Sequence, residues 1–391
     1  MGPRNAATQF LLRNNSAKRF EVTLYGSLAA TGKGHMTDQA ILDVLGEQHT
    51  TIVWRPKEFL SFHPNGMKFR SLSDAGECLD EWTVFSVGGG ALAEEGKKAV
   101  EHKQIYEMNT ASEILAWCIS TGKSYWEYVE ECEGPEIWDY LREVWETMKS
   151  AVQRGLEQEG VLPGPLALRR KAALYHVRAE GYQQSMRTRG LLFAYALAVS
   201  EENAAGGKIV TAPTCGSCGV LPAVLYHLYR SRNFSEQRIV RALASAGLFG
   251  NIVKTNASIS GAEVGCQGEV GVACAMAAAA AAQLVGGLPS QIEYAAEMGL
   301  EHHLGLTCDP VCGLVQIPCI ERNAYAAARA MDANSYAMFT DGVHRVSFDK
   351  VVEVMKKTGH DLPSLYKETA EGGLAQDYKQ MWGNEDSAMF F

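Results

Sequence analysis

A long uncharged stretch near the middle of the chain constrains the fold most. Residues 270–292 carry no charged side chain and contain the run Met276-Ala-Ala-Ala-Ala-Ala-Ala-Gln283. A transmembrane helix needs about 20 strongly apolar residues. This stretch is instead rich in glycine and alanine and is interrupted by Gly286-Gly287 and Pro289. Because small side chains let neighbouring helices approach closely, the stretch predicts a buried central helix of a helical domain.

The remainder divides into a β-rich front and a helical body. Residues 20–25 alternate as a half-buried strand does, 51–54 and 82–87 are further predicted strands, and 38–45 predicts a short helix. Beyond about residue 95, apolar residues recur near helical spacing, predicting helices over 111–120, 137–155, 166–179, 190–200, 221–229, 236–246, 320–331 and 348–358. The predicted fold is α+β. A small α/β domain over 1–95 precedes a large all-helical domain over 96–391.

Composition excludes several classes of function. The 391 residues carry a net charge of −9 and form no Lys/Arg-rich run, which argues against nucleic-acid binding. We expect no membrane association. The ten cysteines, without a secretory signal, indicate a reducing and therefore cytoplasmic environment. Since an acidic surface does not attract anions, a site for a carboxylate must use local donors.

Three cysteines stand in unusual surroundings. Cys266 lies between Gly265 and Gly268, Cys308 precedes Asp309-Pro310, and Cys319 follows Pro318; the spacings are 42 and 11 residues. Metal-ligating cysteines often occupy such turns, whereas a free cysteine usually packs as a small buried hydrophobe. Three thiolates are one short of the four that fill an electron-transfer Fe–S cluster. From the residues alone, packing and metal ligation both stay open.

Several segments, in order along nearly the whole chain, resemble the iron–sulfur L-serine dehydratases (L-serine ammonia-lyases). The catalytic-domain resemblance is carried by residues 210–214, 219–224, 256–266, 307–324 and 366–375. Residues 24–35 and 85–90 resemble the smaller β-type domain of that family.

The resemblance implies an enzyme that converts a small amino-acid substrate, L-serine, to pyruvate and ammonia. It implies a 4Fe-4S cluster held by Cys266, Cys308 and Cys319, with one open iron acting as a Lewis acid on the substrate hydroxyl. No pyridoxal lysine is needed. We also expect a homo-oligomer, whose order the sequence does not define.

Three departures from the family pattern bear on the site. The chain begins within what resembles a motif in which Ser-Ser-His-Thr precedes Gly2-Pro3, so we expect a truncated or separately supplied segment and impaired catalysis. Cys215 follows Thr214 where many relatives carry asparagine, and it forms a C-x-x-C with Cys218. Packing, thiol redox chemistry and cluster ligation are all open for this pair. Residues 387–391 lack the terminal cysteine of some relatives.

Hydroxyl and amide side chains in glycine-bounded loops are candidates for holding the substrate carboxylate. These substrate-binding candidates are Thr211, Thr214, Ser217, Asn256, Ser258 and Ser260. Turn and N-cap roles are the alternative for each. His35 is the candidate catalytic base, since histidine titrates near neutral pH, and a structural histidine is the alternative there.

Two other functions remain open from sequence alone. The chain could be a cluster-dependent lyase acting on threonine or cysteine, which product assays would distinguish. It could also be a catalytically impaired Fe–S-binding fragment, which cluster reconstitution followed by a pyruvate assay would distinguish.

Overall fold

The structure is a computed structural model that describes residues 1–96 and 105–382. The chain divides into two compact units. Among the described residues, the first unit comprises 1–96, 308–315 and 363–382, and the second comprises 105–307 and 316–362. The α+β fold class is confirmed. The predicted boundary near residue 95 stays a prediction, and the chain end at 387–391 lies outside the described residues.

The first unit is built on a five-stranded sheet with short helices. Its elements in chain order are α1 (Gly2–Arg13), β1 (Arg19–Tyr25), α2 (Gly26–Thr31), α3 (Thr37–Leu45), β2 (Thr50–Arg55), β3 (Gly66–Leu72), β4 (Cys78–Ser86) and β5 (Leu92–Ala93). The strand order is β2-β1-β3-β4-β5, with β1 and β2 parallel and the other pairs antiparallel.

Alternating side chains of the sheet form a core with α1 and α3. Phe10 of α1 packs on Phe69 of β3 with ring centroids 5.4 Å apart, and both are fully buried with Val22 and Ile41. The predicted strands and the predicted helix over 38–45 are confirmed by β1, β2, β4 and α3. β3 was not predicted, although it alternates buried and less buried residues along its length.

The second unit is helical. Its α-helices are α4 (Ala111–Thr121), α5 (Tyr125–Glu133), α6 (Ile137–Glu157), α7 (Ala172–Glu180), α8 (Gln184–Ala204), α9 (Val220–Arg232), α10 (Glu236–Asn256), α11 (Gly261–Val264), α12 (Val270–Leu284), α13 (Pro289–Glu301), α14 (Cys319–Met338) and α15 (Phe348–Asp361). The last helix within the described residues, α16 (Gly373–Trp382), belongs to the first unit. The eight predicted helices exist, but α7 begins six residues later than predicted because residues 166–171 form a turn and a short bridge.

The predicted central helix is α12, and the prediction that it is buried is confirmed. Every residue of α12 except Gln283 is buried, and the helix packs against α9, α10, α13 and α14. A Cβ on Gly299 of α13 would lie only 2.9 Å from the Cα of Ala275. Glycine facing alanine therefore sets the close approach of these two helices. Among the described residues, none of the helices is both long enough and apolar enough to cross a membrane.

Acidic side chains on the buried face of α13 form a titratable cluster with the segment before α15. Glu293 Oε1 accepts a hydrogen bond from Phe348 N (2.7 Å), and its Oε2 lies 2.9 Å from His344 Nε2. Glu297 lies one turn farther along and is 2% exposed. Burial, reinforced by the neighbouring charge of Glu301, raises the pKa of Glu297 to about 8. The hydrogen bond with Glu293 raises the pKa of His344.

This cluster should make stability fall as pH rises. Between its ordinary pKa of 4.5 and about 8, Glu297 is protonated in the folded state and ionised in the unfolded chain. The folded state then binds more protons, so the free energy of unfolding decreases with pH across that window. Glu297→Gln has no proton to lose, and its free energy of unfolding should fall less between about pH 5 and about pH 8. Urea denaturation of wild type and Glu297→Gln across this pH range measures the two free energies of unfolding.

The exposed Glu143 on α6 offers a matched control. Glu143→Gln should keep the wild-type pH dependence. Identical pH dependences for wild type and Glu297→Gln would contradict the assignment of a neutral, buried Glu297 carboxyl.

Candidate active site

Cys266 lies in a tight turn immediately before the buried central helix. It begins a 3-10 turn over Cys266–Gly268, and α12 starts at Val270. The preceding Gly265 has φ +75, and a Cβ there would lie 2.8 Å from Leu306 O, so this position requires glycine. The Cys266 side chain is buried, at 3% exposure. A helix N-terminus carries partial positive charge, which favours an anionic thiolate at this place.

Glu269 is the acidic partner of Cys266. The ligand atoms that the two residues offer lie within 4.8 Å of each other, and both residues are buried. Thr214 Oγ1 donates a 2.7 Å hydrogen bond to Glu269 Oε1 and lies 3.1 Å from Ser217 Oγ. Two predicted substrate-binding residues are therefore joined to the Cys266 turn through one carboxylate. Glu269 is not among the site residues predicted from the sequence.

Asn323 joins the third predicted ligand to the same loop. Cys319 is the first residue of α14, and Asn323 lies one turn later, where its Nδ2 donates to Cys319 O (2.8 Å) and to Gly216 O (2.7 Å). Its Oδ1 accepts from Gly219 N at 2.8 Å. Asn323 is 1% exposed, so these bonds are made in the interior. Asn323 was not predicted from the sequence. The available signal is an asparagine four residues after Cys319, which the sequence predicts as a ligand.

Among the remaining substrate-binding candidates, Asn256, Ser258 and Ser260 make hydrogen bonds within the helical unit. Asn256 ends α10, and its Nδ2 donates to Asn109 O (2.8 Å) and Ile252 O (2.9 Å). Ser258 Oγ donates to the Glu263 carboxylate and accepts from Ser260 N, just before α11. Thr211 lies half-buried three residues before Thr214. Their role in substrate binding stays a prediction.

The two cysteines of the C-x-x-C differ in environment. Cys218 is 1% exposed, and burial raises its pKa well above the ordinary value. Its Sγ lies 3.9 Å from Val199 O. Cys215 is half-buried in the loop between Thr214 and Gly216. A thiol held in the neutral form is a poor nucleophile, so packing is the favoured role for Cys218.

Cys308 lies in the first unit, paired with the segment before α16. Cys308 N donates to Tyr366 O and Glu368 N donates to Cys308 O, both at 2.8 Å. The next residue, Asp309, accepts a hydrogen bond from Leu374 N at its Oδ2 (2.8 Å). Cys308 is 5% exposed. Its backbone is therefore held on both sides by the 366–374 segment.

His35 lies in the loop after α2 of the first unit. Its Nε2 is 3.2 Å from Glu368 Oε1, and its side chain is 25% exposed. A Cβ on Gly34 would clash with Gly313 O, so this loop abuts the 311–314 turn. The candidate base thus has a carboxylate partner and remains accessible. The sequence did not predict the Glu368 contact.

The chain resembles known proteins over almost its whole length. A family model described as serine dehydratase alpha chain matches residues 85–375, and one described as serine dehydratase beta chain matches residues 1–50 and 44–97. An L-serine dehydratase of Streptomyces coelicolor is 43% identical over 96% of this chain and 94% of its own. L-serine dehydratase 1 of Escherichia coli and an L-serine dehydratase of Haemophilus influenzae are 41% and 40% identical over the same shares.

Asn323 should be a principal support of the site in the helical unit. Asn323→Ala leaves the buried Gly219 N–H and Gly216 carbonyl without this partner, and each unsatisfied group costs about 1–3 kcal/mol. We expect the free energy of unfolding of the iron-free protein to fall by about 2–4 kcal/mol, measured by urea denaturation.

Asn334, on the same helix, is a matched control because it is 5% exposed and its Oδ1 has no partner among the described residues. Asn334→Ala should cost about 1 kcal/mol. Equal losses for the two variants would show that the Asn323 bonds add nothing beyond ordinary burial.

Proposed function

We propose that this chain, which belongs to the serine dehydratase family, converts L-serine to pyruvate and ammonia. The observation that carries the proposal is the 40–43% identity to L-serine dehydratases over 96% of the chain. Residue types suited to the reaction lie within the matched regions: buried cysteines, a histidine with a carboxylate partner, and hydroxyl side chains around Glu269. No observation favours threonine or cysteine as the substrate.

The reaction fixes what the site must do. The α-C–H bond of serine breaks, its electron pair forms the Cα–Cβ double bond, and the Cβ–O bond breaks with loss of hydroxide. The α-proton is taken by a base, and hydroxide leaves as water after protonation. The resulting aminoacrylate tautomerises to an imine, which water hydrolyses to pyruvate and ammonia. The protein therefore needs a base, assistance to a poor leaving group, and donors for the substrate carboxylate.

The proposed cofactor is a 4Fe-4S cluster held by Cys266, Cys308 and Cys319. Their donor chemistry fits it: each cysteine is buried, two stand at helix starts, and Cys266 has the Glu269 carboxylate beside it. Three cysteine ligands are one fewer than a saturated cluster uses. When bound, such a cluster would supply a Lewis acid for the β-hydroxyl group. Because thiolate-held clusters need a reducing environment, we place the protein in the cytoplasm. Homo-oligomeric assembly stays a prediction.

Proton transfer and substrate binding fall to the chain's own side chains. His35 is the proposed base, since neutral imidazole accepts a proton near neutral pH. Thr214 and Ser217 are the favoured substrate contacts because both lie within the hydrogen-bond group of Glu269. The Glu269 carboxylate is suited to the α-ammonium group of serine, with which it would form a charge-assisted hydrogen bond. Ser258, Ser260, Asn256 and Thr211 are the outer candidates.

Iron content tests the ligand assignment. Anaerobically reconstituted protein should bind about four irons per chain. Cys266→Ala, Cys308→Ala and Cys319→Ala should each lose most of this iron, because a cluster with two cysteine ligands is held poorly. Colorimetric iron determination together with the visible absorption spectrum gives the measurement.

Two other cysteines serve as controls. Cys132→Ala and the buried Cys274→Ala should keep the wild-type iron content. Full iron retention in all three ligand variants would show that the cluster, if any, is held elsewhere.

Activity in air tests the chemistry. Pyruvate formation from L-serine should decay on exposure to air and return with ferrous iron and thiol under nitrogen, since an incompletely ligated cluster is open to oxidants. L-Threonine, assayed for 2-oxobutyrate, should be the poorer substrate. Activity unaffected by air and chelators but lost with hydroxylamine would instead indicate a pyridoxal phosphate enzyme.

A further inference from the structure

Glu368 occupies a backbone conformation that most side chains avoid. Its φ is +60, in the left-handed region, where a glycine would sit without strain. Non-glycine residues in such conformations cost free energy and cluster at functional sites. A glutamate in place of glycine here indicates that its side chain is needed. The Glu368 carboxylate lies 3.2 Å from His35 Nε2.

The Glu368 carboxylate also lies near the Thr31 hydroxyl group. Its side chain is 14% exposed, and its Oε1 lies 3.5 Å from Thr31 Oγ1. Thr31 Oγ1 in turn donates to Ser27 O (3.0 Å), within the helix that leads into the His35 loop. His35 N donates to Thr31 O at 3.1 Å. The histidine, the threonine and the glutamate therefore form one local network in the first unit.

The same residue is bonded to a proposed cluster ligand through its backbone. Glu368 N donates to Cys308 O at 2.8 Å, and Tyr366 O accepts from Cys308 N at the same distance. Glu368 thus presents its side chain to His35 and its peptide nitrogen to Cys308. A substitution of the side chain leaves the backbone hydrogen bond to Cys308 in place, so the two connections can be tested separately.

We propose that Glu368 is the positioning residue of the catalytic base: its carboxylate orients His35 so that Nε2 carries the proton and Nδ1 is the atom that accepts the α-proton of serine. A neutral imidazole has one donor and one acceptor nitrogen, and its hydrogen-bond partner decides which is which. A carboxylate can only accept, so it selects the Nε2–H form and stabilises the imidazolium formed on proton transfer. This inference rests on the proposed function, in which His35 is the base.

A purely structural role makes different predictions. If Glu368 only braced the loop, its loss would lower stability and iron content and would affect kcat additively with a His35 substitution. If it acts through His35, its loss should slow proton transfer while leaving iron binding intact, and should have little further effect once His35 is gone. These outcomes separate in a double-mutant cycle on the reconstituted enzyme.

The experiment compares Glu368→Gln, Glu368→Asp, His35→Ala and the double variant His35→Ala/Glu368→Gln in the cluster-loaded protein. His35→Ala should lower kcat about 10²–10⁴-fold, and Glu368→Gln about 10–10²-fold, with iron content and KM close to wild type. Glu368→Asp, which keeps the charge, should retain a higher kcat than Glu368→Gln.

The kinetic isotope effect on kcat with α-deuterated L-serine should be larger in Glu368→Gln, because C–H cleavage becomes more rate-limiting. The exposed Glu371→Gln is the matched control and should match wild type.

Nitrogen-15 NMR of histidine-labelled, iron-free protein gives a readout independent of turnover. The His35 signals should show the Nε2–H form in wild type and a mixture of the two neutral forms in Glu368→Gln. Unchanged His35 signals, wild-type kcat in Glu368→Gln, or a full additive loss in the double variant would each overturn the proposal. If wild-type holoenzyme fails to consume serine, the proposed function fails, and the NMR comparison still decides whether Glu368 sets the form of His35.

Discussion

The site in the helical unit depends on the hydrogen bond between Thr214 and the Glu269 carboxylate, which is buried beside Cys266 just before α12. A buried carboxylate is costly unless it is hydrogen-bonded. Thr214 Oγ1 donates the required hydrogen bond at 2.7 Å, and this bond fixes the 214–219 loop against the Cys266 turn. Asn323 then ties the same loop to Cys319. The uncharged α12 begins directly after Glu269, so the polar groups of this site lie before the helix and not along it.

The first unit has a similar arrangement, in which a hydrogen-bonded glutamate links a cysteine to a candidate site residue. There the backbone of Cys308 is bonded on both sides to residues 366 and 368, and the side chain of Glu368 reaches His35. In each unit a cysteine proposed as a ligand is therefore connected, through one hydrogen-bonded glutamate, to residues proposed to contact or deprotonate the substrate. Cluster binding can therefore be probed by substituting the cysteines, and proton transfer by substituting the side chains of Glu368 and His35.

Features with a local pattern were predictable from the sequence, and those that depend on long-range contacts were not. The strand β1, the helix α3 and the burial of α12 follow from alternation, helical spacing and the lack of charge. β3 was missed although Met67 and Phe69 alternate with Lys68 and Arg70, a signal that was present. The contacts of Asn323 with Gly216 and of Glu368 with His35 join residues 107 and 333 positions apart. No local pattern encodes these contacts, whereas the cysteines proposed as ligands stood out through their glycine and proline neighbours.

We propose that this chain uses an incompletely ligated iron–sulfur cluster to dehydrate L-serine. Mössbauer spectroscopy of protein reconstituted with iron-57 tests it most directly, because each iron contributes its own share of the spectrum. We predict a 4Fe-4S spectrum in which about a quarter of the area changes when L-serine is added under anaerobic conditions. A spectrum without a cubane cluster, or one in which no iron site responds to serine, would contradict cluster-assisted dehydration by this chain.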